Sequence, residues 1–288
     1  MSLTRSLAVI LASAVLLLGA TPALARKPEP TPALPAERPL TAEELALGEQ
    51  KIQAAERHLA TVDASDQMLS ISSCPTPTGD GTQATTQSCS VPAGFLSVNA
   101  RDQERGHYCG PAVGQVVANY SWAMAANANK FSQRQIAIWM KTDVNGQTSS
   151  PELAAGLNTA THASPREPAG WNWVVINLRD RNGNGLVGDE LHGYVRSNVS
   201  VSKMPLAIPV KPHQPGAQFH LVSWPRAISS PGHWIATYGW YGNYNGTDFA
   251  RIYYTDSSRD EGGSTGKFWD PTRHIAILIM AHTQRLVW

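Results

Sequence analysis

The chain has 288 residues, of which 42% are hydrophobic, and its 23 basic and 22 acidic residues leave it almost uncharged. This length and apolar content are enough for one sizeable core with a smaller additional region. No lysine- or arginine-rich run is present in the sequence. The composition therefore argues against a nucleic acid or an anionic membrane surface as the partner.

The N-terminus has the organisation of a secretory signal peptide. Arg5 precedes an uncharged apolar run, Leu7–Leu18, and Ala23 and Ala25 are the small residues that signal peptidase requires before its cut. The apolar run is shorter than the ~20 residues that span a bilayer. We expect residues 1–25 to be removed and the mature protein to be secreted without membrane insertion; the alternative is an uncleaved anchor.

A proline-rich linker and a helix come before the main domain. Residues 26–39 contain five prolines, which predicts an extended, semi-rigid tether. Thr41 and Glu44 have the spacing of a capping box, and apolar residues at helical intervals continue the pattern to about Val62. Residues 40–95 are compatible with a propeptide, a stalk or a helix packed on the main domain.

The three cysteines divide into a pair and a single residue. Cys74 and Cys89 lie in a stretch rich in Ser, Thr, Pro and Gly, and a disulfide closing that loop would stabilise the fold by ~3 kcal/mol. We predict this pairing in preference to one that uses Cys109, which leaves Cys109 as a free thiol. The sequence has no Cys-x-x-Cys and no histidine pair at helical ligand spacing, so no zinc site is predicted.

Residues 96–288 are predicted to form an α+β domain, with helices ahead of an antiparallel sheet. Helical patterns occupy 110–127, 132–140, 150–157 and, later in the chain, 190–198. Strand patterns occupy 173–178, 206–210, 219–223, 233–240, 249–256 and 274–280.

Cys109 is placed at the start of the first of these helices. Gly110 permits close approach to the sulfur, and Pro111 fits the first helical turn, where its missing N–H costs nothing. A helix N-terminus favours a thiolate, because its backbone N–H groups and the helix dipole attract negative charge. The sequence is therefore compatible with a nucleophilic thiol or with a buried, inert one.

A base and an orienting carboxylate can be assigned from the hairpin pattern. His233 follows Pro-Gly at the start of a predicted strand, and the next strand ends at Asp256. One hairpin register sets His233 directly opposite Asp256. The other sets it opposite Ser258, with Asp256 as the diagonal neighbour on the same face. In both registers the carboxylate can fix the imidazole tautomer and stabilise an imidazolium.

Two further sequence features bear on catalysis and on metal binding. Gln103, together with the backbone N–H of Cys109, could donate to the oxyanion of a tetrahedral intermediate. Asp180, Asn182 and Asn184 match the first half of a calcium loop, but Leu191 stands where a bidentate Glu is expected. A polar turn is the preferred interpretation of this segment, and we expect no cofactor.

The chain resembles the C39-like branch of papain-fold cysteine peptidases, whose best-known members cleave bacteriocin leader peptides. The resemblance rests on Gln103-x5-Cys109-Gly-Pro-Ala, on Pro-Gly-His233-Trp and on the Asp256 that follows, and it extends over roughly residues 98–260. It implies a papain-like fold with Cys109 as nucleophile, His233 as base and acid, Asp256 as orienter and Gln103 as oxyanion donor. The leader-processing members are fused to a membrane transporter, which this chain lacks.

The sequence thus predicts a secreted thiol hydrolase that acts on peptide or protein substrates. Two alternatives remain at this level. One is a cell-surface binding module that keeps the fold without turnover. The other is a cell-wall peptide hydrolase or acyl transferase.

Overall fold

The computed structural model describes residues 37–71, 92–181, 183, 185–228, 232–244, 249–258 and 263–288, with the side chains of 62–71 and 145 excepted. The predicted signal peptide, most of the proline-rich linker and the predicted Cys74–Cys89 disulfide lie outside these residues. So do Asn182 and Asn184 of the candidate calcium loop.

The described residues form a mixed α+β fold with seven α-helices and a seven-stranded antiparallel sheet. The helices are α1 (Ala42–Ile71), α2 (Cys109–Ser121), α3 (Gln133–Trp139), α4 (Thr142–Asn145), α5 (Ser150–Thr161), α6 (Val187–Ser197) and α7 (Thr272–Met280). The strands are β1 (Ala93–Phe95), β2 (Val175–Asn177), β3 (Leu206–Val210), β4 (His233–Tyr241), β5 (Arg251–Asp256), β6 (Gly266–Pro271) and β7 (Arg285–Val287).

Strand β4 is the centre of the sheet. The strand order is β2-β7-β3-β4-β5-β6, and β1 also pairs with β4. One edge of β4 pairs first with β3, at residues 233–237, and then with β1, at residues 239–241. Helix α2 packs against β4, which brings the start of the helix to the start of the central strand.

Helix α1 packs on the main domain in its first half. Ile52 is 1% exposed and Ala55 is 5% exposed, and both belong to the main hydrophobic core. Lys51 directs its Nζ to the carbonyl oxygens of Asn172 at 2.8 Å and Trp288 at 2.7 Å. Burial of the ammonium in this position lowers the pKa of Lys51. The helix is therefore joined to the domain by both apolar and polar contacts.

Several predicted elements are confirmed at their starts. The Thr41–Glu44 capping box is formed in both directions, with distances of 2.8 and 3.2 Å. Helix α2 begins at Cys109, although it ends at Ser121 rather than near residue 127. Strand β3 has the predicted bounds.

Two predicted strands are wrong. Residues 219–223 contain no strand and instead form a loop that packs against β5 and β6. Residues 274–280 belong to helix α7, whose buried residues recur at the intervals of one helical face: Thr272, Ile275, Ala276, Leu278 and Ile279. The sequence pattern of a short apolar run does not distinguish a strand from a buried helix. In the structure this run is helical and packs against α6.

Candidate active site

Cys109 is the first residue of α2, and its side chain is a partly buried free thiol. The first N–H groups of a helix have no intrahelical acceptor, so they can face a negative charge at this end. Packing requires Gly110, because a Cβ there would fall 2.3 Å from Oγ1 of Thr148. That hydroxyl is in turn held 2.7 Å from the hydroxyl of Thr142. The start of α2 is therefore packed directly against the fixed side chain of Thr148.

The residue before the cysteine is also anchored. Tyr108 is fully buried, and its hydroxyl donates to Oδ1 of Asp143 over 2.7 Å. Burial, together with this carboxylate, raises the pKa of Tyr108 to about 12. Arg105 and His107 approach the same carboxylate at 3.2 and 3.4 Å. These contacts fix the loop that leads into Cys109.

His233 lies between the thiol and a carboxylate. It is the first residue of β4 and is 4% exposed. Its Nε2 donates to Oδ1 of Asp256 over 2.8 Å, and the side chain of Cys109 lies close enough to act on the pKa of the ring. Because Nε2 is used by the carboxylate, Nδ1 is the ring nitrogen left to exchange a proton with the thiol.

The strand register around His233 is one of the two that the sequence allowed. Ala236 lies opposite Thr255 in the β4–β5 ladder. Continued along both strands, this register sets His233 opposite Ser258 and leaves Asp256 as the diagonal neighbour on the same face. The register with His233 and Asp256 directly opposite each other is wrong.

A β-bulge at Tyr238 produces this register. The pairing shifts by one residue between Thr237 and Gly239, so Tyr238 is an additional residue in β4. Side chains alternate along a strand, and a shift of one residue moves them to the other face of the sheet. Without the extra residue, His233 and Asp256 would lie on opposite faces. The bulge is therefore part of the construction of the site.

Asp256 is 1% exposed and accepts hydrogen bonds from donors on three separate segments. Oδ2 accepts from the hydroxyl of Ser223 at 2.7 Å and from the indole N–H of Trp224 at 2.8 Å. Oδ1 accepts from the backbone N–H of Ser258 at 2.8 Å, in addition to His233. The Trp224 ring lies against the imidazole, with 5.0 Å between ring centroids. The carboxylate is therefore fully satisfied inside the protein.

The sequence interpretation missed Ser223 and Trp224. Both follow Val222 in a run that has the composition of a strand. The only sequence signal for their role is that Ser and Trp stand next to each other at the end of that apolar run. Both side chains can donate a hydrogen bond. A loop conformation was needed to direct both donors at one carboxylate.

The electrostatics favour an imidazolium at His233. Burial of the ring lowers the pKa of His233, but the charge and hydrogen bond of Asp256, followed by the contact with Cys109, outweigh it and raise the pKa well above its ordinary value. Burial acts to raise the pKa of Asp256, whereas the neighbouring imidazole and the hydrogen-bond donors hold it below its usual range. The pair is therefore poised to hold a proton on the ring and a negative charge on the carboxylate.

Thr148 connects the cysteine to the histidine through the scaffold. Its side chain contacts the start of α2 at Gly110, and its carbonyl oxygen accepts from the indole N–H of Trp234 at 3.0 Å. Trp234 follows His233 in β4. A single residue thus fixes the helix that carries the thiol relative to the strand that carries the ring.

Gln103 lies in the loop that approaches this site. Its backbone N–H donates to the carbonyl oxygen of Ser257 at 2.9 Å, next to Asp256 in the chain. Its side-chain Nε2 donates to the carbonyl oxygen of Gly106 at 3.1 Å, and its Oε1 is buried without a hydrogen-bond partner. An amide nitrogen carries two hydrogens, so one donor of Gln103 is used within the loop and the other is not accounted for by this bond.

The candidate calcium loop is described only in part. Oδ2 of Asp180 accepts from the backbone N–H of Gly185 at 2.6 Å, which is a bond within the turn. In the part of the chain that the structure describes, no group of three or more His, Cys, Asp or Glu side chains could hold a metal ion.

Within the described helices, none is both long and apolar enough to cross a membrane.

The predicted catalytic residues Cys109, His233 and Asp256 are brought together, and Gln103 lies in the loop beside them. Neither a protein-family model nor a curated protein matches the chain.

Proposed function

We propose that the protein is a secreted cysteine peptidase or amide hydrolase with a papain-like fold of the C39-like type. Cys109 is the nucleophile, His233 the general base and acid, and Asp256 the residue that orients the ring. The observation that carries this proposal is the hydrogen bond of buried His233 to Asp256, with Cys109 at the start of α2 close enough to act on the same ring. A nucleophile, a base and an orienter in this chain of contacts are the parts of a catalytic triad.

The first half of the reaction forms an acyl-enzyme. In the resting pair His233 holds the proton of Cys109 as an imidazolium, and the thiolate sulfur attacks the carbonyl carbon of the scissile amide to give a tetrahedral intermediate. The imidazolium then donates that proton to the nitrogen of the leaving amine. The carbon–nitrogen bond breaks, the amine departs and a thioester remains on Cys109.

Water completes the cycle in the second half. His233 accepts a proton from the attacking water, and the hydroxide oxygen bonds to the thioester carbonyl carbon. Collapse of the second tetrahedral intermediate breaks the carbon–sulfur bond. The acid product leaves, and the proton stays on His233 beside the regenerated Cys109 thiolate. Asp256 stays ionised throughout and stabilises the imidazolium in each half.

The oxyanion of each intermediate needs hydrogen-bond donors near the sulfur. The backbone N–H of Cys109, at the first position of α2, is one donor. The second amide hydrogen of Gln103 is the proposed partner, and its loop is tied to Ser257 next to the triad. Losing one such donor costs about 3–4 kcal/mol of activation free energy in related chemistry.

Hydrolysis of a labelled protein such as casein tests the proposal against a binding module without turnover. The wild type should release labelled peptides, whereas Cys109→Ala and His233→Ala should each lower the rate by more than about a hundredfold. His162→Ala is the matched control, because that histidine is exposed at the end of α5. Turnover by Cys109→Ala at the wild-type rate would overturn the proposal.

A further inference from the structure

A cavity lies behind the loop that holds Asp256. It has a volume of about 540 Å³ and is bounded by the edge strand β6, the start of α7 and residues 218–222. Its walls combine aromatic and ionisable side chains: Phe219, His220, Phe268, Trp269, Asp270 and His274. Concave sites of this size with few convergent polar groups are typical of ligand sites.

The polar group at the base of this cavity is Asp270, which is 5% exposed. Its Oδ2 accepts from the hydroxyl of Tyr254 at 2.6 Å and from the backbone N–H of Val222 at 3.0 Å. Among the described residues, no hydrogen bond to Oδ1 is formed. Oδ1 is not one of the enclosed side-chain atoms that lack a partner, so it is accessible and can accept a hydrogen bond from a ligand in the cavity.

The ionisable groups that act on Asp270 from within the cavity are His274 and His220, and both act to lower its pKa. Lys267 also lines the cavity, but β6 alternates and its ammonium lies 5.4 Å from the Tyr238 ring centroid, so it does not pair with Asp270. Burial, followed by the neighbouring His213, lowers the pKa of His220, whereas Asp270 acts to raise it. Burial correspondingly raises the pKa of Asp270. A cation entering the cavity would favour the ionised form of Asp270 further.

The aromatic walls favour the same ligand charge. Phe268 lies beside Asp270 on the inner face of β6, and Trp269 borders the cavity while remaining 42% exposed. Phe219 packs on the ring of His274 at 4.3 Å between centroids. Aromatic faces attract ammonium and guanidinium groups, most strongly where water is excluded. An anion would instead meet the Asp270 carboxylate.

We propose that this cavity binds a cationic nitrogen group, an ammonium or a guanidinium, against Oδ1 of Asp270 and between the rings of Phe219 and Phe268. The group can be carried by a free alkylamine or by the side chain of a lysine or arginine in a peptide. This binding site is separate from Cys109, and its existence does not depend on the proposed peptidase activity.

The cavity is also joined to the triad by hydroxyl groups. Tyr254 donates to Asp270, and its oxygen lies 3.2 Å from the hydroxyl of Ser223, which donates to Asp256. A cation on Asp270 weakens the attraction between that carboxylate and Tyr254. Occupancy of the cavity can therefore reach the residue that orients His233.

Titrations of the full chain with n-butylammonium and n-butylguanidinium test the site, with 1-butanol and butyrate as neutral and anionic analogues. Fluorescence and the His220 and His274 ring signals in NMR report occupancy, because the cavity contains Trp269 and both histidines. We expect saturable binding of the two cations. Saturation by butanol or butyrate with equal affinity, or no saturation by either cation, would overturn the proposal.

Asp270→Asn keeps the acceptor for Tyr254 and Val222 but removes the charge, and it should weaken cation binding by at least about tenfold. The matched control is Glu43→Gln, which removes one negative charge from an exposed position in α1 and should leave binding unchanged. Unchanged binding in Asp270→Asn would contradict the assignment. Far-UV circular dichroism and thermal unfolding show whether that variant is folded.

A short blocked peptide containing lysine, compared with the same peptide containing norleucine, distinguishes the two sources of the cation. Tighter binding of the lysine peptide than of n-butylammonium assigns the site to a peptide side chain. Equal or weaker binding assigns it to free amines. Norleucine binding as tightly as lysine would again overturn the role of Asp270.

Discussion

His233 and Asp256 are diagonal neighbours on one face of the β4–β5 ladder, joined by an Nε2–Oδ1 hydrogen bond of 2.8 Å. They share that face only because Tyr238 adds one residue to β4. The carboxylate is held by Ser223 and Trp224 from a third segment. The proposed triad therefore depends on a bulge and a loop as much as on its own side chains.

Removal of the Asp256 charge should change the pH dependence of Cys109 reactivity. Asp256 raises the pKa of His233 more than any other neighbour, in opposition to the burial of the ring. In Asp256→Asn that pKa falls, so a proton leaves the ring at lower pH and the imidazolium no longer supports a thiolate near neutrality. We expect the acid limb of the alkylation rate to move to higher pH by at least about one unit, as measured with iodoacetamide.

A control variant shows whether the shift in the pH profile is specific to Asp256. Glu43→Gln is the matched control, because it also removes one carboxylate charge, but from an exposed position in α1. Its acid limb should stay near the wild-type position. Superimposable profiles for wild type and Asp256→Asn would remove Asp256 from the proposed triad.

The close packing between the start of α2 and Thr148 can be tested by substituting Gly110. An alanine Cβ would fall 2.3 Å from Oγ1 and 2.6 Å from Cβ of Thr148. Because Thr148 is held by Thr142, we expect Gly110→Ala to destabilise the fold by about 1–3 kcal/mol and to slow alkylation of Cys109. Gly193→Ala is the control in α6, where the new Cβ meets only Leu59 at 3.4 Å. Chemical denaturation measures the free energies.

A second substitution identifies the cause of the Gly110 effect. Thr148→Gly removes the three side-chain atoms of Thr148, Oγ1, Cβ and Cγ2, that an alanine Cβ at position 110 would contact. Added to Gly110→Ala, it should cost less than the sum of the two single changes. Strict additivity would show that the clash with Thr148 is not what the alanine disturbs.

Tyr254 should be energetically coupled to Asp270. The tyrosine is fully buried and donates to the carboxylate over 2.6 Å, and hydrogen bonds to charged groups contribute about 1.5–3 kcal/mol. Tyr254→Phe should therefore lower the free energy of unfolding by an amount in that range. In an Asp270→Asn background the same change should cost clearly less, as a double-mutant cycle measures. Equal costs in both backgrounds would rule out the charge-assisted bond.

Helix α1 should contribute to the stability of the domain. Ile52 is 1% exposed and lies in the main core, so Ile52→Ala should cost about 2–5 kcal/mol. Leu47→Ala provides the comparison, because that side chain is 39% exposed in the same helix. Thermal unfolding measures both. An Ile52→Ala variant as stable as the wild type would show that α1 does not pack on the domain in solution.

The sequence predicted the parts of the fold that local signals specify. The Thr41–Glu44 box, the start of α2 and the bounds of β3 follow from capping residues, proline position and β-branched composition. The pairing of His233 with Asp256 followed from strand alternation, but the bulge that selects the register has no sequence signal of its own. Local patterns therefore placed the functional residues on their elements without giving the register.

The remaining differences come from tertiary context. Residues 219–223 are apolar enough for a strand, yet hydrogen bonds from Val222 to Asp270 and from Ser223 to Asp256 hold them as a loop. Residues 274–280 are rich in β-branched side chains, yet they form α7 and pack on α6. Neither set of partners is adjacent in sequence, so no local pattern could reveal them.

The rate of Cys109 alkylation shows whether His233 activates the thiol. Iodoacetamide labelling near neutral pH, followed by mass spectrometry, gives the rate for the wild type, for His233→Ala and for free cysteine. We predict that wild-type Cys109 reacts at least about tenfold faster than free cysteine and that His233→Ala loses this advantage. A wild-type rate no faster than that of free cysteine, and unchanged in His233→Ala, would contradict the account.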